Sequence, residues 1–132
     1  MDTVGLLKQM SLKQKLAQMS QFTADFIMRD ADVLITGPAL AYNLTADDVA
    51  SIGSVLGLCG AEITAALQKI HLSEDPLGIP LLFMADVIHG YKTIYPIPLG
   101  LGATFDEDIV EECCKMAAKE AAVAGIHVTF SP

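Results

Sequence analysis

Along the chain, short runs rich in apolar residues alternate with longer stretches in which apolar residues return every three or four positions. Three runs read as strands, Ser51 to Leu58, Pro80 to Ala85 and Ile126 to Ser131, with glycine or proline close on either side. Between the first two, Ala61 to Leu72 sets Ile63, Ala66, Leu67 and Ile70 at helical spacing, and Asp75-Pro76-Leu77-Gly78 stops it. Between the last two, Thr104 or Asp106 can cap a helix running to about Ala124. Its apolar stripe is Val110, Cys113, Cys114, Ala117, Ala121 and Ala124, and Gly125 is its terminator. The remaining stretch from His89 to Ala103 carries prolines and reads as irregular.

Ahead of the first strand, Leu6 to Met19 predicts a short helix, a break and a second helix. Ser11 caps the second, and Leu12, Leu16 and Met19 share one of its faces. Phe22 to Tyr42 shows no sustained period and contains Gly37-Pro38, so a long connection is expected there. Thr45-Ala-Asp-Asp48 predicts a short capped turn. Strand, helix, strand, helix, strand predicts an α/β fold with parallel strands and right-handed crossovers. A three-stranded sheet would leave edges open to another chain, including a second copy. The stop at Pro132, where the third strand would deliver its loop, is therefore expected to be a cut in a larger unit.

Composition narrows the classes of partner. The 132 residues, 52% hydrophobic, suffice for one globular unit. Sixteen acidic against eight basic residues give a formal charge of −8, which repels nucleic-acid phosphates and anionic lipid headgroups. Neither nucleic acid nor membrane is expected as a partner. Ile79 to Ala85 is too short to span a bilayer, and Ile94 to Leu101 is broken by Pro96 and Pro98. The N-terminus lacks the basic start and long apolar centre of a secretory signal, so a cytoplasmic address is expected. Cys59, Cys113 and Cys114 are expected as reduced core thiols, and Met10, Met19, Met84 and Met116 as core filler.

The residue that stands out chemically is Asp86. Ile79-Pro-Leu-Leu-Phe-Met-Ala-Asp-Val-Ile-His-Gly-Tyr91 carries an apolar strand straight into one carboxylate and a His-Gly turn. Ligands of parallel sheets are held at the carboxyl ends of the strands, which makes Asp86 a candidate binding residue. A turn-capping carboxylate is the bland alternative. His89 has no second His or Cys at ligand spacing, so no metal is expected, and a structural role on the turn is favoured. No cofactor is expected either. Tyr91, Lys92 and Tyr95 either line a subsite or pack. Gly100-Leu-Gly102 lacks the third glycine of a dinucleotide loop, and Asp106, Glu107 and Asp108 would face a phosphate with like charge. Those acids, with Glu111 and Glu112, are explained by the helix dipole and by solvent, and Glu111 to Lys115 is a favourable pair. His71, at a helix end, and His127, within a strand, carry no catalytic expectation.

In their order, these motifs resemble the N-terminal part of glycoside hydrolase family 3, the β-glucosidase family. Met10-Ser-Leu-Lys-Gln-Lys-Leu-Ala-Gln-Met19 is similar to the family's entry helix and Gly53-Ser-Val-Leu-Gly57 to its first strand. Ile79 to Gly90 resembles its second strand, Pro96 to Asp106 the following loop, and Gly125 to Pro132 the third strand. The resemblance implies a piece of a (β/α) barrel whose usual size is about 250 residues. It implies a retaining, exo-acting enzyme on β-linked glucosides, working through two carboxyl groups about 5 Å apart. By the same resemblance, no catalytic residue lies in this chain: the nucleophile belongs to a later barrel strand and the acid/base to a second domain. Asp86 matches the family's carboxylate that accepts hydrogen bonds from the 4- and 6-hydroxyls of the terminal sugar. The implied partners are a β-glucoside or oligosaccharide, the remainder of the barrel and the second domain. The competing classes are a non-catalytic interaction module, pairing through its open sheet edge, and a small nucleotide-binding α/β domain.

Overall fold

The computed structural model describes residues 2–26 and 41–130. Its elements follow the chain as α1 (Thr3–Gln9), α2 (Leu12–Gln18), β1 (Gln21–Thr23), a 3-10 turn (Ala24–Phe26), α3 (Ala46–Ala50), β2 (Ser54–Leu56), α4 (Ala61–Glu74), β3 (Leu82–Ala85), α5 (Pro98–Gly102), α6 (Glu107–Val123) and β4 (Val128–Thr129). The strands form one sheet in the order β1-β2-β3-β4, with every neighbouring pair parallel. Strand order follows chain order without a reversal. Barrel walls are built this way, whereas a doubly wound nucleotide-binding sheet reverses direction at its switch point.

The helix starts are set by side chains that accept otherwise unpaired backbone N–H groups. Ser11 receives Gln14 N, and the Gln14 side chain returns the bond to Ser11 N at 2.8 Å. Thr45 and Asp48 form the same reciprocal box on α3. Asp106, rather than Thr104, caps α6 through Ile109 N at 3.1 Å, and Gly125, at φ +84°, ends the turn after it. Lys115 pairs with Glu111 at 2.8 Å. The region expected to be irregular contains the short α5, which opens on Pro98.

β1 departs from the expected connection over Phe22 to Tyr42. Phe22 lies beside Val55 in the sheet, packs against the buried core and stacks on Phe26 at 4.9 Å. Three residues are too few to show a period, and pairing with β2 is what makes them a strand. The rest of that connection, with Gly37-Pro38, lies in 27–40, outside the described residues, as does the predicted continuation of the last strand into Ser131.

The helix-covered side of the sheet holds two apolar clusters. Ile52, Val55, Leu58, Leu81 and Phe83 form one, with Leu67 of α4 against it. Ala85, Val87, Ala117, Ala121 and Ile126 form the other, bringing α6 over the end of β3. The α4–β3 junction is fixed by polar side chains. Gln68 exchanges two hydrogen bonds with the Leu81 backbone, buried His71 meets Ile79 O through Nε2 at 2.9 Å, and Asp75 accepts Ile79 N at 2.8 Å. His71 is thus a buried anchor, beyond its expected place at a helix end. His127 is likewise structural, its Nδ1 accepting Phe83 N at 3.1 Å.

Burial along β3 alternates: Leu81, Phe83, Ala85 and Val87 are buried, whereas Leu82 and Asp86 are exposed and Met84 lies between. On that second side Gln21 Nε2 reaches across β2 to Met84 Sδ at 3.0 Å. Met19 and Met116 are exposed, so the expectation of core filler fails for both: their helices turn these positions to solvent. All three cysteines are free, with Cys59 and Cys113 half-buried and Cys114 exposed despite its place in the apolar stripe.

Candidate functional site

Asp86 is the first residue past β3, between buried Ala85 and buried Val87, and it is exposed. The parallel sheet thus delivers a carboxylate to water at the carboxyl end of a strand, where ligands of such sheets sit. Val87 N donates to Thr129 Oγ1 at 3.2 Å, which fastens the residue after Asp86 to β4. The chain then folds back on itself. Tyr95 N donates to His89 O at 2.8 Å, and Gly90, at φ +107°, lies so close to Thr93 that an added Cβ would stand 2.0 Å from the Thr93 carbonyl oxygen. Only glycine fits both the dihedral and the contact.

His89 is exposed on this turn. Tyr91 and Tyr95 are half-buried and pack against the second apolar cluster, so both have the packing role. Burial raises Tyr91 and Cys59, the latter just past β2, above their ordinary pKa values. Among the described residues, no three His, Cys, Asp or Glu side chains gather as metal ligands. The acidic residues Asp106, Glu107, Asp108, Glu111 and Glu112 lie exposed on α6.

A residue not singled out in the sequence completes the turn. The Glu120 carboxylate, on α6, accepts Lys92 N at 3.1 Å, Thr93 N at 2.9 Å and Thr93 Oγ1 at 2.6 Å. The Thr93 hydroxyl, ahead of the backbone bonds, holds the Glu120 carboxyl below the usual carboxylate range. No local signal marks this contact, because its partners lie 27 and 28 positions apart. Behind the turn, a cavity of about 460 Å³ runs between His89, Tyr95, Leu101, Cys113 and Ala117.

Comparison with known proteins gives a consistent result. The profile of the glycosyl hydrolase family 3 N terminal domain matches residues 11–132. The whole chain superposes on a β-glucosidase from Listeria innocua in complex with glucose, with a TM-score of 0.86 and 42% identity, over 19% of that chain. A mutant of the same enzyme in complex with laminaribiose gives a TM-score of 0.87 at 42% identity. A periplasmic β-glucosidase of Salmonella typhimurium is 30% identical over 127 residues, which are 96% of this chain and 15% of the relative. The chain spans less than a fifth of the length of these proteins.

Proposed function

Because the chain belongs to glycosyl hydrolase family 3, whose N-terminal domain its residues 11–132 match, we propose that it forms part of the sugar-binding barrel of a β-glucosidase, with Asp86 holding the substrate. The observation that carries this reading is the exposed carboxylate of Asp86 at the carboxyl end of β3. An ionised carboxylate only accepts hydrogen bonds, and its two oxygens suit two neighbouring hydroxyls of one sugar ring. Bonds to a charged acceptor are also stronger than bonds between neutral groups. Support for a glucoside as ligand comes from the glucose and laminaribiose complexes of the Listeria innocua enzyme.

Cleavage with retention needs a nucleophile and an acid/base about 5 Å apart. In this reading both come from polypeptide outside these 132 residues, so the chain binds but does not cut. The rest of the barrel and a second domain are its proposed partners, taking the sheet side on which Leu82 is 46% exposed. Pairing with a second copy along an open strand edge is the competing interaction-module reading, and it predicts a discrete oligomer without glucoside affinity. A cytoplasmic location is a separate proposal, resting on the three free thiols; cell fractionation decides between it and the periplasmic site named for the Salmonella typhimurium relative.

Two measurements on the 132-residue chain test the reading. Saturation-transfer NMR with methyl β-D-glucoside should show sugar contact that Asp86→Ala removes, and light scattering should accompany it. Release of nitrophenol from an aryl β-glucoside should be absent; robust turnover lost in Asp86→Ala would overturn the proposed division of labour.

A further inference from the structure

We infer that Glu120 is the positioning residue of the Asp86 turn: from α6, its carboxylate gathers the backbone of Lys92 and Thr93 and so fixes where Asp86 and His89 stand at the end of β3. Only the consequence for sugar affinity rests on the proposed function; the placement of the turn does not.

Between Ala85 and Pro96 the chain leaves the sheet, and hydrogen bonds hold it. Val87 N is tied to Thr129 Oγ1 and His89 O to Tyr95 N. The largest set is the three bonds to Glu120, made to the tip of the loop. A single carboxylate that receives two consecutive N–H groups and a hydroxyl fixes both the position and the orientation of that tip. The constraint then passes backward through short links. Thr93 O lies against Gly90, and Tyr95 N holds His89 O, so a displaced tip carries the His-Gly turn with it.

The role is separable from stability. Lys92 and Thr93 are exposed, so water can take over their N–H groups when the carboxylate is removed, at little cost to the fold. What is lost is the single geometry of the loop, and a preorganised site binds more tightly than one that must be ordered on binding.

The test uses isotope-labelled 132-residue chain with Glu120→Ala, Glu120→Gln and Thr93→Val, the last removing only the hydroxyl bond. Three readouts are taken: amide chemical shifts of Asp86 to Gly90, the melting temperature, and the Kd for methyl β-D-glucoside. Glu120→Ala should move the Asp86 to Gly90 shifts, leave the melting temperature close to wild type and raise Kd several-fold. Glu120→Gln, which keeps one oxygen acceptor, and Thr93→Val should fall between. Shift changes confined to residues 92–93 and 119–121 would overturn the inference, as would unmoved Asp86 to Gly90 shifts in both Glu120→Ala and Thr93→Val. If no protein in the set binds the glucoside, the sugar reading falls, and the shifts still decide the placement of the turn.

Discussion

Lys13 Nζ stands 2.8 Å from Asp48 Oδ1, joining α2 to α3. Asp48 also closes the box at the start of α3, and its carboxyl lies well below the usual range, first through the bond from Lys13 and then through Thr45. Lys13 is mostly exposed, so the ion pair itself contributes little. Asp48→Ala should therefore lower the melting temperature more than Lys13→Ala, since only the first also removes a cap. Thermal melts in low salt check the order; equal effects would assign the contribution to the ion pair alone.

The Glu120 clamp has a defined pH dependence. A carboxyl whose folded pKa is depressed contributes fully above its unfolded pKa, about 4.3 for Glu, and the contribution is lost as pH falls through the folded value. Lys92, Lys119, Tyr91 and Tyr95 are the other titratable groups around it. Hydrogen exchange of the Thr93 amide, corrected for its intrinsic rate, should stay protected from neutrality down to the ordinary carboxylate range and lose protection only below it. Loss of protection between about pH 8 and 6 would point to another group.

The two sides of β3 should respond differently to truncation. Phe83 is 1% exposed among Ile52, Val55, Leu58 and Leu81, and Phe83→Ala should cost about 3–5 kcal/mol. Leu82, its neighbour on the open side, should cost under about 1 kcal/mol when changed to Ala. Urea unfolding of the two variants reads the difference directly; similar losses would mean that both sides are covered.

Gly90→Ala sets a side chain against the Thr93 carbonyl at a left-handed φ. The core clusters do not involve this residue, so the effect should be local: altered shifts from Asp86 to Tyr95 with the Phe83 and Ala121 methyl and ring signals unmoved. Global loss of structure would show that the turn is needed for folding.

Much of this arrangement was legible because it is local. Ser11, Thr45 and Asp106 cap helices within three residues of the groups they serve. The apolar runs around Val55, Phe83 and Val128 announce strands, although β4 is only two residues long. The location of Asp86 followed from strand direction alone. What stayed hidden depends on distant partners: β1 exists through its pairing with β2, and Glu120 meets Thr93 across 27 positions. His71 and Asp75 look like an ordinary helix end until the chain returns and presents Ile79 to them. Exposure of Met19 and Met116 is similarly a matter of which helix face meets the sheet.

The most direct measurement is the affinity of the 132-residue chain for methyl β-D-glucoside, followed by amide shifts from Asp86 to Gly90, in wild type and Asp86→Asn. Asn keeps the shape but loses the charge and one acceptor oxygen, and a hydrogen bond to a charged group contributes about 1.5–3 kcal/mol. Saturable shifts are expected at Asp86 to Gly90, with Kd raised about tenfold or more in Asp86→Asn. Saturation with the same Kd in both proteins, or shifts at the far end of the strands near Leu81 and Ile126, would contradict a sugar held by Asp86.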